Sequence, residues 1–225
     1  MKNIIISGTS RGIGNALALK FAQEGHQVLA ISRKVNPNLL QNENITCLSV
    51  DLSNTDELLK IDHFLSSTWQ KVDIIIHNAG SILLKPFAET TVEDFRKVYE
   101  VNVFGVVALT KLALPFLKNG SHVVTISSMG GIQGSMKFAG LSAYSSSKGA
   151  VITLAELLSE EYKAQGISFN VLALGSVQTE MLAEAFPGYQ APLSAEEMAD
   201  YIKNFALTGN QFFNGKVLQV SSTTP

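Results

Sequence analysis

Tyr144 and Lys148 stand four residues apart in Tyr144-Ser145-Ser146-Ser147-Lys148. On a helix that spacing places both side chains on one face. A tyrosine phenol, with an unperturbed pKa of about 10, is a poor proton donor or acceptor near neutrality. An ammonium beside it favours the phenolate and lowers that pKa, which makes the phenol usable as a general acid or base. The spacing alone also describes ordinary surface neighbours, so its weight depends on company. Ser128 closes Ile126-Ser127-Ser128 and brings a hydroxyl to the end of an apolar run. Asn102 sits in Val101-Asn102-Val103-Phe104-Gly105, a polar residue in an otherwise apolar helical pattern. Asparagine is a mediocre helix-interior residue, and taken singly it reads as a buried amide satisfied locally.

A second chemistry is written at the other end of the chain. Ser7-Gly8-Thr9-Ser10-Arg11-Gly12-Ile13-Gly14 lies between the apolar run Ile4-Ile5-Ile6 and the helical pattern from Asn15. Glycines let the backbone turn sharply and approach a ligand closely. The helix that follows points free N–H groups and the positive end of its dipole at an anion. Such a loop is a phosphate site in waiting, or a plain strand–turn–helix connection when nothing else accompanies it.

The elements that would position these residues follow from periodicity. Short apolar runs predict strands at 4–6, 27–31, 45–50, 72–76, 121–126, 167–172 and 217–220. Helical spacing predicts helices at about 15–21, 54–68 (with Ser53 as its cap), 92–117, 142–164 and from 195. The last opens on Ser194-Ala195-Glu196-Glu197, which has capping-box spacing. Alternating strands and helices imply an α/β fold: a doubly wound parallel sheet of about seven strands with helices on both faces. Right-handed crossovers then put ligands at the carboxyl ends of the strands, where every candidate above falls. No linker or repeat divides the chain, so residues 1–225 are expected to form a single domain.

Composition narrows the partners. Of 225 residues 46% are hydrophobic and 16% charged, with a formal net charge of -2. That balance describes a globular protein with a large interior and carries no basic footprint for nucleic acid. The single cysteine, Cys47, excludes an internal disulfide and a thiolate metal cage, and reads as a small buried hydrophobe. No metal-ligand cluster is expected. His26, His63 and His122 fall at element ends and read as solvated. The N-terminal apolar run is too short for a signal sequence, and no segment is read as long enough to cross a membrane. The expected location is cytoplasmic.

Taken together, Gly8-x-x-x-Gly12-x-Gly14, Asn78-Ala79-Gly80, Asn102, Ser128 and Tyr144-x-x-x-Lys148 resemble the motif set of the short-chain dehydrogenase/reductase family, in its single-domain branch. The resemblance spans essentially the whole chain. It implies hydride transfer between a nicotinamide ring and a carbonyl or alcohol carbon. Tyr144 would supply or take the proton; Lys148 would lower the tyrosine pKa and hold the nicotinamide ribose. Ser128 would hydrogen-bond the substrate oxygen, and Asn102 would anchor a water linking Lys148 to solvent. Ser127 is the competing hydroxyl, since neighbours on a strand face opposite ways; the family pattern favours Ser128. Cofactor contacts are implied from Gly8, Ser10, Arg11, Gly12, Ile13 and Gly14, from Asp51 and Leu52, and from Asn78, Ala79 and Gly80. Gly175, Val177 and Thr179 would stand by the carboxamide.

The second strand ends at Ile31-Ser32-Arg33-Lys34 without an acid to hold a ribose 2′-hydroxyl. Arg33 and Arg11 instead suit a 2′-phosphate, with Ser32 assisting, so NADP(H) is expected over NAD(H). The expected partner is a small carbonyl or alcohol substrate. A homo-oligomer, dimer or tetramer, pairing through 92–117 and 142–164, is expected too.

Some features depart from the family pattern. His77 stands where another asparagine is usual, and Leu174-Gly175 replaces Pro-Gly. The interval from Ser128 to Tyr144 is about three residues long beyond the norm. Few residues separate Thr179 from Ser194, which suggests a short lid over an open cleft. The C-terminal Ser221-Ser222-Thr223-Thr224-Pro225 lacks the usual glycines. A non-catalytic dinucleotide-binding regulatory protein is the alternative function, but it would have no need of Asn102, Ser128, Tyr144 and Lys148 together. An epimerase or dehydratase using the same Tyr and Lys is disfavoured by the glycine spacing.

Overall fold

The computed structural model describes residues 1–221. The β-branched runs that predicted strands form one parallel sheet: β1 (Asn3–Ser7), β2 (Gln27–Ser32), β3 (Ile45–Ser49), β4 (Val72–His77), β5 (Leu117–Ser128), β6 (Ser168–Leu174) and, last in the chain, β9 (Val217–Val220). Their spatial order is β3-β2-β1-β4-β5-β6-β9. The order reverses at β1, so the crevice at its carboxyl end, beside β4, is the topological switch point. Two short segments that periodicity missed, β7 (Val177–Gln178) and β8 (Leu193–Ser194), pair apart from the main sheet.

Strand alternation divides the core. Ile4 and Ile6 face one layer with Leu17 and Phe21 of α1 (Gly12–Gln23) and Ile202 and Phe205 of α7 (Ala195–Thr208). Ile5 faces the other, with Ile61 of α2 (Thr55–Phe64) and Leu109 of α4 (Gly105–Ala113). The long helix α5 (Ser142–Glu161) lies over β5 and β6 on that second side, where Ile152 and Ala155 meet Val171. Covering both faces removes the sheet from water and explains the continuous apolar runs.

Several local expectations are corrected. Asn54, not Ser53, caps α2: its side chain accepts from the Asp56 and Glu57 backbones at 3.0 and 3.4 Å. Ser53 instead donates to Asp51. The expected helix 92–117 is α3 (Val92–Tyr99), a widened π-turn at Glu100–Phe104, α4 and a final 3-10 turn. As a unit, Val92–Phe116 is long and apolar enough to cross a membrane, contrary to the reading of the sequence. In the fold it is a layer of the sheet's cover, with Val98, Leu109 and Ala113 buried in it. The capping box at Ser194 and Glu197 forms, with Ser194 Oγ accepting from the Glu197 N–H at 3.2 Å. Between Thr179 and β8 a helix, α6 (Glu180–Ala185), was not foreseen. His122 is buried rather than solvated, bonded to the Ala206 carbonyl and the Asn170 amide at 3.0 Å each. Cys47 is only half-buried. The C-terminal expectation falls mostly on residues 222–225, outside the described residues.

Candidate active site

The glycine loop is built by what its glycines lack. Gly8 has φ +76, in the left-handed region that favours glycine, and a Cβ there would come within 2.7 Å of the Ala79 Cα. A Cβ on Gly14 would run into the Gly8 carbonyl and the Asn78 amide. Asn78 Nδ2 donates to the carbonyls of Ser7 and Gly8, both at 3.1 Å. In return Ser7 Oγ accepts from the backbones of Asn78 and Ala79 at 3.2 and 3.1 Å. Asn36 ties the loop to the end of β2 by donating to the Ser10 carbonyl at 3.2 Å. The first turn of α1 has no acidic residue, and no side chain caps it. Its N–H groups and dipole are therefore directed at an anion with nothing of the helix's own to answer them.

Ser128 ends β5 and Tyr144 and Lys148 stand one turn apart on α5. The Ser128 hydroxyl stands beside the Tyr144 phenol and favours its ionised form. Lys148 is buried; its Nζ donates to the Ile126 carbonyl at 2.8 Å and lies 5.8 Å from the centre of the Tyr144 ring. Burial is the largest influence on both pKa values. It pushes the Tyr144 phenol up, partly offset by the Ser128 hydroxyl. It pushes the Lys148 ammonium down to about 8. The Lys148 ammonium is engaged by a carbonyl, and for the phenol desolvation is the largest influence. Ser127 is buried and faces away, its Oγ donating to the Lys148 carbonyl at 2.8 Å. That separates the two adjacent serines as strand alternation requires.

Asn102 occupies the widened turn and is 1% exposed. Its Oδ1 accepts from the Ser81 N–H at 2.7 Å, and its Nδ2 donates to the Ser81 carbonyl at 2.9 Å and to Ser147 Oγ at 2.8 Å. A Cβ on Gly80 would stand 3.6 Å from Lys148 Nζ and 3.7 Å from Asn102 Oδ1. The glycine thus leaves a gap between the ammonium and the amide.

At the far end, Ser32 turns its hydroxyl to the Lys34 carbonyl at 2.8 Å, within its own bend. Asp51 accepts from both the N–H and hydroxyl of Ser53, which, with the charge of Arg33, holds its carboxyl below the usual range. Leu52 packs across Gly105. Arg11 is not free at the loop's rim: its guanidinium forms a two-point ion pair with Glu184 of α6. Thr179 caps α6 by accepting from the Leu182 N–H at 3.2 Å, Val177 is buried, and the Gly175 N–H donates to the Val220 carbonyl at 2.9 Å.

These parts border one cavity of about 1410 Å³. That exceeds the roughly 300–1,000 Å³ of an ordinary small-molecule site, leaving room for a dinucleotide and a second molecule. All the sequence candidates line it except Gly14 and Asn102, which stand behind its wall. The glycine cradle, the undefended helix N-terminus and the gap at Gly80 fit a phosphate-bearing nucleotide. Sequence reasoning missed Ser7, Asn36, Ser147 and Glu184. Ser147 had a signal, lying on the catalytic motif itself; Glu184 had none without the α6 helix.

Residues 2–190 match the family model described as short chain dehydrogenase. The chain is 30% identical over 210 residues to an oxidoreductase named BOA17 from Botryotinia fuckeliana, covering 89% of this chain and 74% of that protein. Among solved structures it superposes on ElxO with NADP bound at a TM-score of 0.84 and 28% identity, covering 98% of this chain and 97% of that one. It shares the fold of 4-hydroxyisoleucine dehydrogenase complexed with NADH, at a TM-score of 0.87 and 24% identity, covering 98% and 97%. With the glycine cradle, Ser128, Tyr144 and Lys148 in one cleft, the chain belongs to the short-chain dehydrogenase/reductase family.

Proposed function

We propose that the protein is an NADPH-dependent oxidoreductase that reduces a ketone or aldehyde carbonyl, or oxidises the alcohol in reverse. The observation that carries this reading is that Ser128, Tyr144 and buried Lys148 line one cavity with the glycine cradle. Bound nicotinamide supplies and accepts the hydride. The remaining chemistry falls to the protein. Tyr144, kept protonated by burial, donates its proton at the substrate oxygen in the reductive direction. Ser128 donates a second hydrogen bond there, so that developing negative charge meets donors already in place. Lys148 holds a positive charge beside the ribose side of the cleft, and Asn102 fixes the wall behind it.

Preference for the phosphorylated cofactor rests on Arg33 and Lys34 at the end of β2 with no competing acid there. Of the two neighbours described above, ElxO holds NADP and 4-hydroxyisoleucine dehydrogenase NADH, so the β2 end is the local argument for the former. The reading extends to a cytoplasmic, single-domain enzyme that pairs through the α3–α4 and α5 faces, where Phe104 and Leu157 are exposed. Light scattering at micromolar concentration tests the pairing, a monomer mass refuting it.

The direct test follows NADPH absorbance with the purified protein and a panel of ketones and aldehydes. Turnover that Tyr144→Phe reduces by a thousandfold or more supports the reading. Tight NADPH binding with no consumption across the panel would favour a non-catalytic sensor instead.

A further inference from the structure

The substrate end of the cavity differs in chemistry from the nucleotide end. Arg11, Arg33, Lys34 and Asp51 line it around β1, β2 and β3, and Glu180 stands within 3.5 Å of where a Gly12 Cβ would be. Three other segments line the same cavity: the one after Gly80, bonded through the Lys85 N–H to the Gly140 carbonyl at 2.9 Å; the loop holding Gly140, which leads into α5 and Tyr144; and the lid. They contribute Ile82, Phe138, Leu141, Leu182, Phe186 and Tyr189. No charged side chain of these segments beyond Glu180 lines the cavity among the described residues. The cations nearest in sequence are turned elsewhere. Lys85 pairs with Asp94 at 3.2 Å, and Lys137 bonds to the Ile132 carbonyl and Ser135 Oγ. The one polar tip among those six, the Tyr189 hydroxyl, bonds to Ser176 at 3.3 Å. Phe138 and Tyr189, two aromatic residues of the lining, are each about half exposed, at 49% and 48%.

The one cation beside Tyr144, Lys148, is buried with its Nζ held by the Ile126 carbonyl at 2.8 Å, so a phosphate or carboxylate carried on the rest of a substrate would lose water without a counterion from these three segments, which burial penalises heavily. Sugar hydroxyls would find few partners beyond Ser128 and Tyr144. Apolar surface meets no such penalty and gains by leaving water. We infer that the substrate is an uncharged ketone, or its secondary alcohol, flanked by an alkyl chain or aromatic ring, and not a sugar, a keto acid or a phosphorylated ketone. This rests on the carbonyl-reductase reading and adds the substrate class to it.

The test separates the two claims. Four ligands are compared: a medium-chain 2-alkanone, an aryl methyl ketone, the ω-carboxylate analogue of the alkanone, and a ketose phosphate. Binding is measured by calorimetry to Tyr144→Phe saturated with NADPH, and kcat/KM with the native protein. The uncharged pair is expected to bind at least tenfold tighter than the charged pair, with the same ranking in kcat/KM. Leu182→Arg should narrow that gap in favour of the carboxylate. Equal or tighter binding of the charged ketones, or millimolar concentrations of all four leaving the protein unoccupied, overturns the substrate class. Selective binding of the uncharged pair without turnover supports the class and overturns the reaction.

Discussion

Asn102 Nδ2 and Ser147 Oγ meet at 2.8 Å, and the same serine hydroxyl donates to the Tyr144 carbonyl at 2.7 Å. Through Ser147 the widened turn at Asn102 is bolted to the helix that presents Tyr144 and Lys148. Through Ser81 it is bolted to the segment after Gly80. The family resemblance gave Asn102 a water to hold. In this structure its amide makes three bonds to protein, which makes it a fixed corner of the site.

Removing the two halves of that corner should have different effects. Asn102→Ala takes their partner from the part-buried Ser81 N–H and carbonyl, and removes the donor to Ser147 Oγ. Each such group costs about 1–3 kcal/mol, so a fall of several degrees in melting temperature is expected. Ser147→Ala loses two bonds of about 1 kcal/mol each. Its expected signature is a kcat reduced about tenfold, or ~1.4 kcal/mol of barrier, with KM for NADPH little changed. Steady-state kinetics beside calorimetric melting distinguishes them. A Ser147→Ala enzyme with native kcat would show the bond to be packing only.

Lys148 offers a pH test with a defined sign. Its ammonium, held down to about 8 by burial, is charged at neutral pH in the free protein and discharges above that value. A dinucleotide that prefers the charged form should bind with constant affinity from pH 6 to about 7.5. Above pH 8 its affinity should weaken, by at most about tenfold per pH unit. Lys148→Met should bind more weakly at neutral pH and show no such break. Tyr144, pushed the other way, should ionise at higher pH than a free tyrosine in a difference spectrum against Tyr144→Phe.

Arg11 and Glu184 give a prediction about cofactor capture. The glycine loop and the lid helix are joined by this ion pair, and Glu180 lies beside the same loop. A 2′-phosphate seeking Arg11 must displace a carboxylate that already holds it. Exposed pairs of this kind are weak, so Glu184→Gln should tighten NADPH binding by roughly two- to five-fold and NADH binding less. Fluorescence titration at low and high salt reads this, and the gain should shrink as salt screens both partners. Tighter binding of NADH than NADPH in the variant would remove Arg11 from the phosphate site.

The sheet was legible because its inner strands are buried apolar runs between turn residues, as a parallel sheet covered on both faces requires. The site was legible at Gly8, Ser128, Tyr144 and Lys148 because chemistry fixes residue type and spacing there. What escaped lies where neither periodicity nor motif speaks. The break at Glu100–Phe104 is a change of helix register inside a continuous apolar pattern. The α6 lid is six residues long, too short for a hydrophobic period to declare itself. His122 looked like a strand-end polar residue, but β5 begins earlier than its apolar run, at Leu117, and carries it into the core. The partner of Arg11 came from a segment 173 residues away.

The buried histidines predict how the fold responds to acid. His77, on β4 just before Asn78, is 2% exposed; its Nε2 bonds to Thr110 at 2.9 Å and its Nδ1 has no partner among the described residues. Desolvation lowers its pKa to about 3, and lowers that of His122 to about 4. In the unfolded chain both titrate near 6.5. Below that pH the unfolded state binds protons that the native state refuses, so stability is constant above about pH 6.5 and falls as pH drops. Each histidine contributes a slope of up to about 1.4 kcal/mol per pH unit, ending only when its native pKa is reached. Urea midpoints by circular dichroism at pH 7.5, 6.5, 5.5 and 4.5 should trace this decline. His77→Gln keeps a polar atom for Thr110 but has no proton to take up, so its slope over the same range should be shallower by about half. An unchanged slope would mean that His77 is charged in the native protein, and the bond to Thr110 would then have to be a donated one.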